Sequence, residues 1–471
     1  MIPPARRFPP QVEAPSLVRG LSAWDGALLT VGSVLGTGIF ITTGNIAREL
    51  PHAGLILLVW VAGGLLTLAG ALTYAELGTM YPRAGGQYHF LKEAYGPLWG
   101  FLYGWTAFFV IMAGGIATLA AGFGEYVGAF LPFFSTNHVL ASHAIAGWEW
   151  SVNGAQLAGA IAIVILSAVN YLGLRWGASV QNAVTVVKVA SVAGLAGLGF
   201  FVPASASPEF FAPLSSGRTL PALGVGMIAV LWSFDGWYAA TAVGGEMRRP
   251  ERSLPLGLIG GTAAVTVLYV VINLVYLRAL PVAEMGKTER VGEAAATALF
   301  GLTGGRCIGA AVLISAFGCL SATILYGART YLPMAQDGLF FGALARIHPR
   351  HRTPAACIAA QGAWAVLLAF SGRYEQLYTY VTFAVVLFHA ATGTAVLVLR
   401  RTQPDGPRPY RAWGFPLVPL AFVLASLALA ANTIAERPVE SLIGLAIVGI
   451  GLPVYALRRR DDERIKKGLN E

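Results

Sequence analysis

The sequence predicts an all-α membrane protein of twelve transmembrane helices, and three observations carry that prediction. Of the 471 residues, 56% are hydrophobic and 12% charged, with a mean hydropathy of +0.65; soluble domains carry about 25% charged residues. Twelve apolar runs are long enough to cross a hydrocarbon core of roughly 30 Å, at residues 21–50, 54–80, 97–131, 153–172, 180–203, 220–243, 254–280, 303–331, 354–371, 374–400, 414–433 and 439–458. The basic residues also segregate. Of 32 Lys and Arg, twenty-three fall on the side of the N-terminus and eight on the other, which by the positive-inside rule places both termini in the cytoplasm.

The net charge of +9 therefore reflects topology, and no nucleic-acid partner is expected. Residues 1–20 are rich in Pro and Arg and lack an apolar core before a cleavage site, so no removable signal peptide is predicted. Cys307, Cys319 and Cys357 show no ligand spacing, which points to core thiols rather than a metal site or disulfide framework. Nothing supplies a nucleophile beside a base or a cofactor loop, so neither an enzyme nor a cofactor is expected.

The first run is the anomaly that organises the rest. As one helix its thirty residues would extend ~45 Å at ~1.5 Å per residue, far more than the bilayer requires. At its centre stands Val34-Leu35-Gly36-Thr37-Gly38-Ile39-Phe40. Gly32 and Gly36 read as a small-residue packing face; Gly36 and Gly38 read as an unwound turn whose freed N–H and C=O groups need partners that lipid cannot supply. The sixth run favours the second reading. There Trp232-Ser233-Phe234-Asp235-Gly236 sets a carboxylate and a glycine at mid-span. The sixth run comes five spans after the first, so the two interruptions enter the membrane in opposite senses, the pattern of an inverted-repeat transporter with its site at the midplane. The expected division is a tail at 1–20, repeats at 21–203 and 220–400, two further helices at 414–458 and a tail at 459–471.

The remaining basic residue, Lys188, lies inside the fifth run. An ammonium at helix centre costs about 2.5–3.5 kcal/mol on insertion scales. It sits too deep to snorkel easily, so a functional cation is the favoured reading.

These residues resemble the amino acid, polyamine and organocation transporters, and within them bacterial relatives of the L-type amino acid transporter branch. The likeness covers about residues 20–400. It rests on Gly32-Ser33-Val34-Leu35-Gly36-Thr37-Gly38-Ile39-Phe40, on Tyr74-Ala75-Glu76-Leu77-Gly78 with Tyr81-Pro82-Arg83-Ala84-Gly85-Gly86-Gln87-Tyr88, and on Glu246, Pro250, Arg252, Leu254 and Pro255. Arg329, Met334-Ala335, Asp337-Gly338 and Thr353-Pro354 complete it. The resemblance implies the LeuT-type fold: two inverted repeats of five helices, with helices 1 and 6 broken, and two extra helices. It further implies an amino acid substrate bound at Gly36-Thr37-Gly38, with its carboxylate on the Thr37 and Gly38 amides and its ammonium at the carbonyls of Val34, Trp232 and Asp235. Ser233, Phe234, Asp235 and Gly236 would border the substrate, and Trp232 would be the aromatic gate.

Lys188 matches a fifth-helix Lys of sodium-independent members, where it stands in for a bound cation and ties helix 1 to helix 8 near Ser315. Asp235 keeps two readings, a carboxylate favouring cationic side chains and a cap on the helix break. The expected activity is sodium-independent exchange of neutral amino acids, with cationic ones admitted. A proton-coupled symporter and a membrane nutrient sensor are the alternatives; single unlike groups argue against a channel. The loop 132–151 lacks the Cys by which mammalian relatives join a heavy chain. The resemblance thus implies a monomer or non-covalent oligomer, multi-pass in the inner (plasma) membrane.

Overall fold

The computed structural model describes residues 17, 19–145, 148–213, 219–371 and 374–468; the first sixteen residues of the expected tail, with Arg6 and Arg7, and also Arg218 and Arg373, lie outside these. The first run is two helices, α1 (Ala23–Val34) and α2 (Gly38–Glu49), followed by α3 (Ala53–Met80) and the short α4 (Gln87–Tyr95). The third run is α5 (Pro97–Thr106) and α6 (Ala113–Phe130), joined through a π-helical stretch at Ala107–Met112. Beyond it comes a departure from the all-α expectation. Strands β1 (Val139–Ile145) and β2 (Trp148–Asn153) pair as an antiparallel hairpin, within a loop that periodicity treats only as a connection.

Then follow α7 (Gly154–Tyr171), α8 (Leu174–Phe201), α9 (Thr219–Phe234), the one-turn α10 (Ala239–Ala242), α11 (Pro250–Pro255) and α12 (Gly261–Ala279). The second half ends with α13 (Val282–Met285), α14 (Val291–Gln336), α15 (Ala355–Ala369), α16 (Tyr374–Thr402), α17 (Leu417–Glu436) and α18 (Pro438–Gly468). Gly301, at φ 73°, interrupts α14 just before the residue where the eighth apolar run begins, and α18 runs on through the charged residues expected as a tail. Among the described residues ten helical stretches are long and apolar enough to cross a bilayer, with Thr219–Phe234 and Ala355–Ala369 apolar but shorter. α9 is short because its run breaks at Asp235.

Local chemistry sets the helix starts. Ser22 accepts from Asp25 N, and the Asp25 side chain accepts from Ser22 N at 2.8 Å, a reciprocal cap; Asn153 and Gln156 do the same for α7. Burial then ranks the elements. In the α1–α2 stretch 89% of the most apolar window is buried, against 17% for Pro438–Arg458. The broken pair is the interior of the bundle, packed against α8, α9 and α14, and α18 is at its edge.

Polar ties gather on the face where α1 begins. Glu246 O accepts from Gly20 N (2.9 Å) and Leu21 N (3.0 Å), and the Glu246 carboxylate is paired with Arg329, both buried. Tyr88 and Lys92 of α4 donate to Asp337 at 2.5 and 2.6 Å. Burial pushes the Asp337 carboxyl up, but these hydrogen bonds outweigh it and hold the group below its usual value. Glu76, buried at the end of α3, receives Arg400 through two nitrogens (2.8 and 2.6 Å), Ala412 N at 2.7 Å and Arg408 at 3.4 Å.

Removing one partner of a buried charged network costs about 3–5 kcal/mol, because the remaining charges stay uncompensated. Glu76→Ala is therefore expected to loosen the α16–α17 connection. Limited trypsin digestion should cut after Arg401 or Arg411 faster in the variant; equal cleavage rates would show that the connection is held otherwise.

Candidate functional site

The end of α1 poses a problem of backbone chemistry: the last carbonyls of a helix have no partner within it. Here each of four consecutive ones finds a partner from elsewhere. Lys188 Nζ donates to Gly32 O at 2.5 Å and to Leu35 O at 3.0 Å, and Ser315 Oγ donates to Leu35 O at 2.9 Å. Cys319 Sγ donates to Ser33 O at 2.8 Å. Tyr269 Oη lies 2.9 Å from Val34 O and 3.1 Å from Ser233 O, so its one proton is shared between the two breaks. A cation at a helix C-terminus also meets the negative end of the helix dipole, which offsets the cost of burying Lys188.

Across the gap α2 begins with no side-chain cap, since Thr37 makes none and its Oγ1 is buried without a partner. The first amides of α2 are thus left to whatever occupies the space in front of them. The second break is a turn. Asp235 N donates to Trp232 O at 3.0 Å, Ala239 N donates to Gly236 O at 2.9 Å, and Gly236 has φ 92°, a conformation glycine adopts without strain.

The two breaks interlock through their glycines. A Cβ on Gly38 would lie 2.7 Å from Ser233 Oγ, and one on Gly236 would lie 2.8 Å from Ser33 Cβ. Each glycine therefore admits the serine of the opposite break.

Between them is a cavity of about 340 Å³. Of the residues singled out from sequence, Val34, Gly36, Gly38, Trp232, Ser233 and Asp235 line it. Asp235 Oδ1 is buried there without a hydrogen-bond partner. Thr37, Phe234 and Gly236 are not on its wall. The Phe234 ring turns away, packing 5.0 Å from Tyr269 and 6.2 Å from Trp60. Trp232 stacks on Tyr378 with centroids 6.2 Å apart and planes at 20°. Lys188 and Ser315 stand behind the wall, on the helix-end carbonyls.

Sequence reasoning missed Gly115, Leu119, Cys319, Thr323 and Tyr326, which also line the cavity, as well as Tyr269. One signal was available. Ser315, Cys319, Thr323 and Tyr326 recur at intervals of four and three, a polar stripe along one face of an otherwise apolar helix. Cys319, expected as a core thiol, belongs to that stripe. Tyr269 gave only the general hint that a mid-span hydroxyl needs a partner.

Fold and site together define a multi-pass membrane protein with a small cavity between two helix breaks. Residues 21–452 match the amino acid permease family, and the chain belongs to it. It is 30% identical over 430 residues to the serine/threonine exchanger SteT of Bacillus subtilis (strain 168), covering 91% of this chain and 94% of that one. To the Homo sapiens b(0,+)-type amino acid transporter 1 it is 30% identical over 446 residues, 94% and 88% of the two chains. To the Mus musculus large neutral amino acids transporter small subunit 2 it is 29% identical over 434 residues, 91% and 79%.

Proposed function

We propose that the protein exchanges amino acids across a membrane by alternating access about its two broken helices. The observation that carries this reading is the cavity that faces the uncapped start of α2. A helix N-terminus with free amides suits a carboxylate, here at Thr37 and Gly38, beside Gly36, whose own N–H turns back onto Val34 O at 2.8 Å. The α-ammonium goes to the carbonyls of Val34, Trp232 and Asp235; Val34 O already accepts from Gly36 N at 2.8 Å and from Tyr269 at 2.9 Å, and a carbonyl has two lone pairs, so substrate takes the place of one of them there. The backbone reads what all amino acids share. Asp235 and the α14 stripe face the side chain, and Trp232 gates the chamber. The names of the relatives, an exchanger and amino acid transporters, support the same class of cargo.

The finer architecture belongs to this proposal. It comprises twelve spans in the LeuT arrangement, with repeats at 21–203 and 220–400, helices at 414–458, flanking tails, and both termini in the cytoplasm of a cell whose inner (plasma) membrane holds the chain. Lys188, bound to α1 carbonyls at 2.5 and 3.0 Å, supplies a fixed positive charge there and so supports sodium independence. The chain works without a disulfide-linked subunit, alone or as a non-covalent oligomer.

Counterflow in proteoliposomes tests the reading. Uptake of labelled L-serine should require amino acid inside and ignore sodium and pH gradients; uptake driven by a pH gradient into empty vesicles would favour proton symport. Lys188→Ala is expected to lower exchange by roughly tenfold or more, about 1.4 kcal/mol, in protein that still inserts, and near-normal exchange would remove Lys188 from the mechanism. In a competition panel Asp235→Asn should weaken cationic amino acids relative to neutral ones, whereas an unchanged ranking would assign Asp235 to the helix break alone.

A further inference from the structure

A second cavity lies away from the two breaks, on the face opposite the one where α1 begins. It is an open groove of about 690 Å³ between the ends of α8 and α12 and the stretch that follows α8, lined among others by Phe200, Ser207, Phe210, Leu274 and Arg278. Its walls are fixed. A Cβ on Gly199 would lie 2.5 Å from the Val275 side chain, so α8 and α12 meet closely beneath it. Ala206 N donates to Arg278 O at 2.9 Å, and His52 Nε2 reaches Ala212 O at 2.9 Å, which holds the stretch after α8 in place.

The groove continues an apolar outer surface. Leu198 and Phe201 of α8 are 61% and 88% exposed, and Val267 of α12 is 64% exposed. Val267, Leu274 and Arg278 follow one another at intervals of seven and four, so they share one face of α12. Acyl chains cover such a face in a bilayer. Since α8 ends at Phe201 and α12 at Ala279, Arg278 stands at the level where hydrocarbon gives way to headgroups.

This cation is poorly matched by the protein. Its Nη2 donates to Val202 O at 3.4 Å, beyond the usual length of such a bond, and its guanidinium lies 5.5 Å from the Phe200 ring centroid. The Nε is shut off from solvent with no hydrogen-bond partner, and among the described residues no carboxylate pairs with it. Arg329, by contrast, is paired with Glu246, and Arg400 and Arg408 with Glu76. A side chain that merely snorkelled to water would not leave Nε enclosed. Spare donors in a guanidinium fork suit a phosphate, and the apolar walls suit a hydrocarbon chain beside it.

We propose that the groove binds one anionic phospholipid, its phosphate on Arg278, a headgroup hydroxyl on Ser207 and an acyl chain along Phe200, Phe201 and Leu198. In the proposed topology this lipid belongs to the outer leaflet; the site itself does not depend on the exchange reading. The same helix, α12, carries Tyr269, which joins the two breaks, so the lipid braces the helix that ties them.

Native mass spectrometry of the full chain in detergent, titrated with phosphatidylglycerol, phosphatidylcholine or acyl-free glycerophosphoglycerol, tests the site. The wild type should retain one phosphatidylglycerol in preference to phosphatidylcholine and should not retain glycerophosphoglycerol. Arg278→Gln should weaken phosphatidylglycerol roughly fivefold or more, while Arg306→Gln, which removes an exposed arginine of α14, should leave it within about twofold. Ser207→Trp fills the groove from an exposed position and keeps Arg278, and it should lower retention as well. Equal retention of the two lipids, equal losses with Arg306→Gln and Arg278→Gln, or retention unchanged in both groove variants overturns the site. Glycerophosphoglycerol bound as tightly as the lipid also overturns it, since the groove would then hold a phosphate and no acyl chain.

Discussion

The structure depends on one constraint: a helix broken inside a membrane must find partners for its own backbone. Four successive carbonyls at the end of α1, from Gly32 to Leu35, are met by Lys188, Cys319, Tyr269 and Ser315. Those side chains come from three different helices, α8, α14 and α12. The break is therefore a junction at which the bundle is tied together, and each tie replaces a hydrogen bond that lipid could not have offered. The start of α2 is the exception, with no side-chain cap, and it is the side that opens on the chamber.

Much of this was legible in the sequence, because its signals are local. An over-long apolar run with Gly36 and Gly38 at its centre, a second run with Asp235 and Gly236 at mid-span, and a lone ammonium at Lys188 can each be read without a neighbour. What could not be read was partnership. Nothing near Tyr269 in the chain indicates that its hydroxyl reaches both Val34 and Ser233, over separations of 235 and 36 residues. Phe234 misled for the converse reason: adjacency to a break does not fix the direction of a side chain, and this ring faces Trp60. The hairpin at 139–153 was hidden because a connection carries no apolar period that demands burial.

The two faces of the protein are held by different physics. Where α1 begins, Glu246 and Arg329 pair with both side chains buried, and Glu76 receives two arginines and a backbone amide. On the opposite face the comparable charges, Glu49 and Arg437, are 3.6 Å apart and exposed, and Trp232 stacks on Tyr378. One face carries buried, paired charge; the other carries an exposed ion pair and a ring contact.

Glu246 gives the closed face a particular mechanical character. Its carbonyl holds Gly20 and Leu21 while its carboxylate holds Arg329, so a single residue fastens the start of α1, the stretch after α10 and the far end of α14. A latch with three strands on one pin does not slip by degrees. Loss of Glu246 would therefore release all three segments together rather than one at a time.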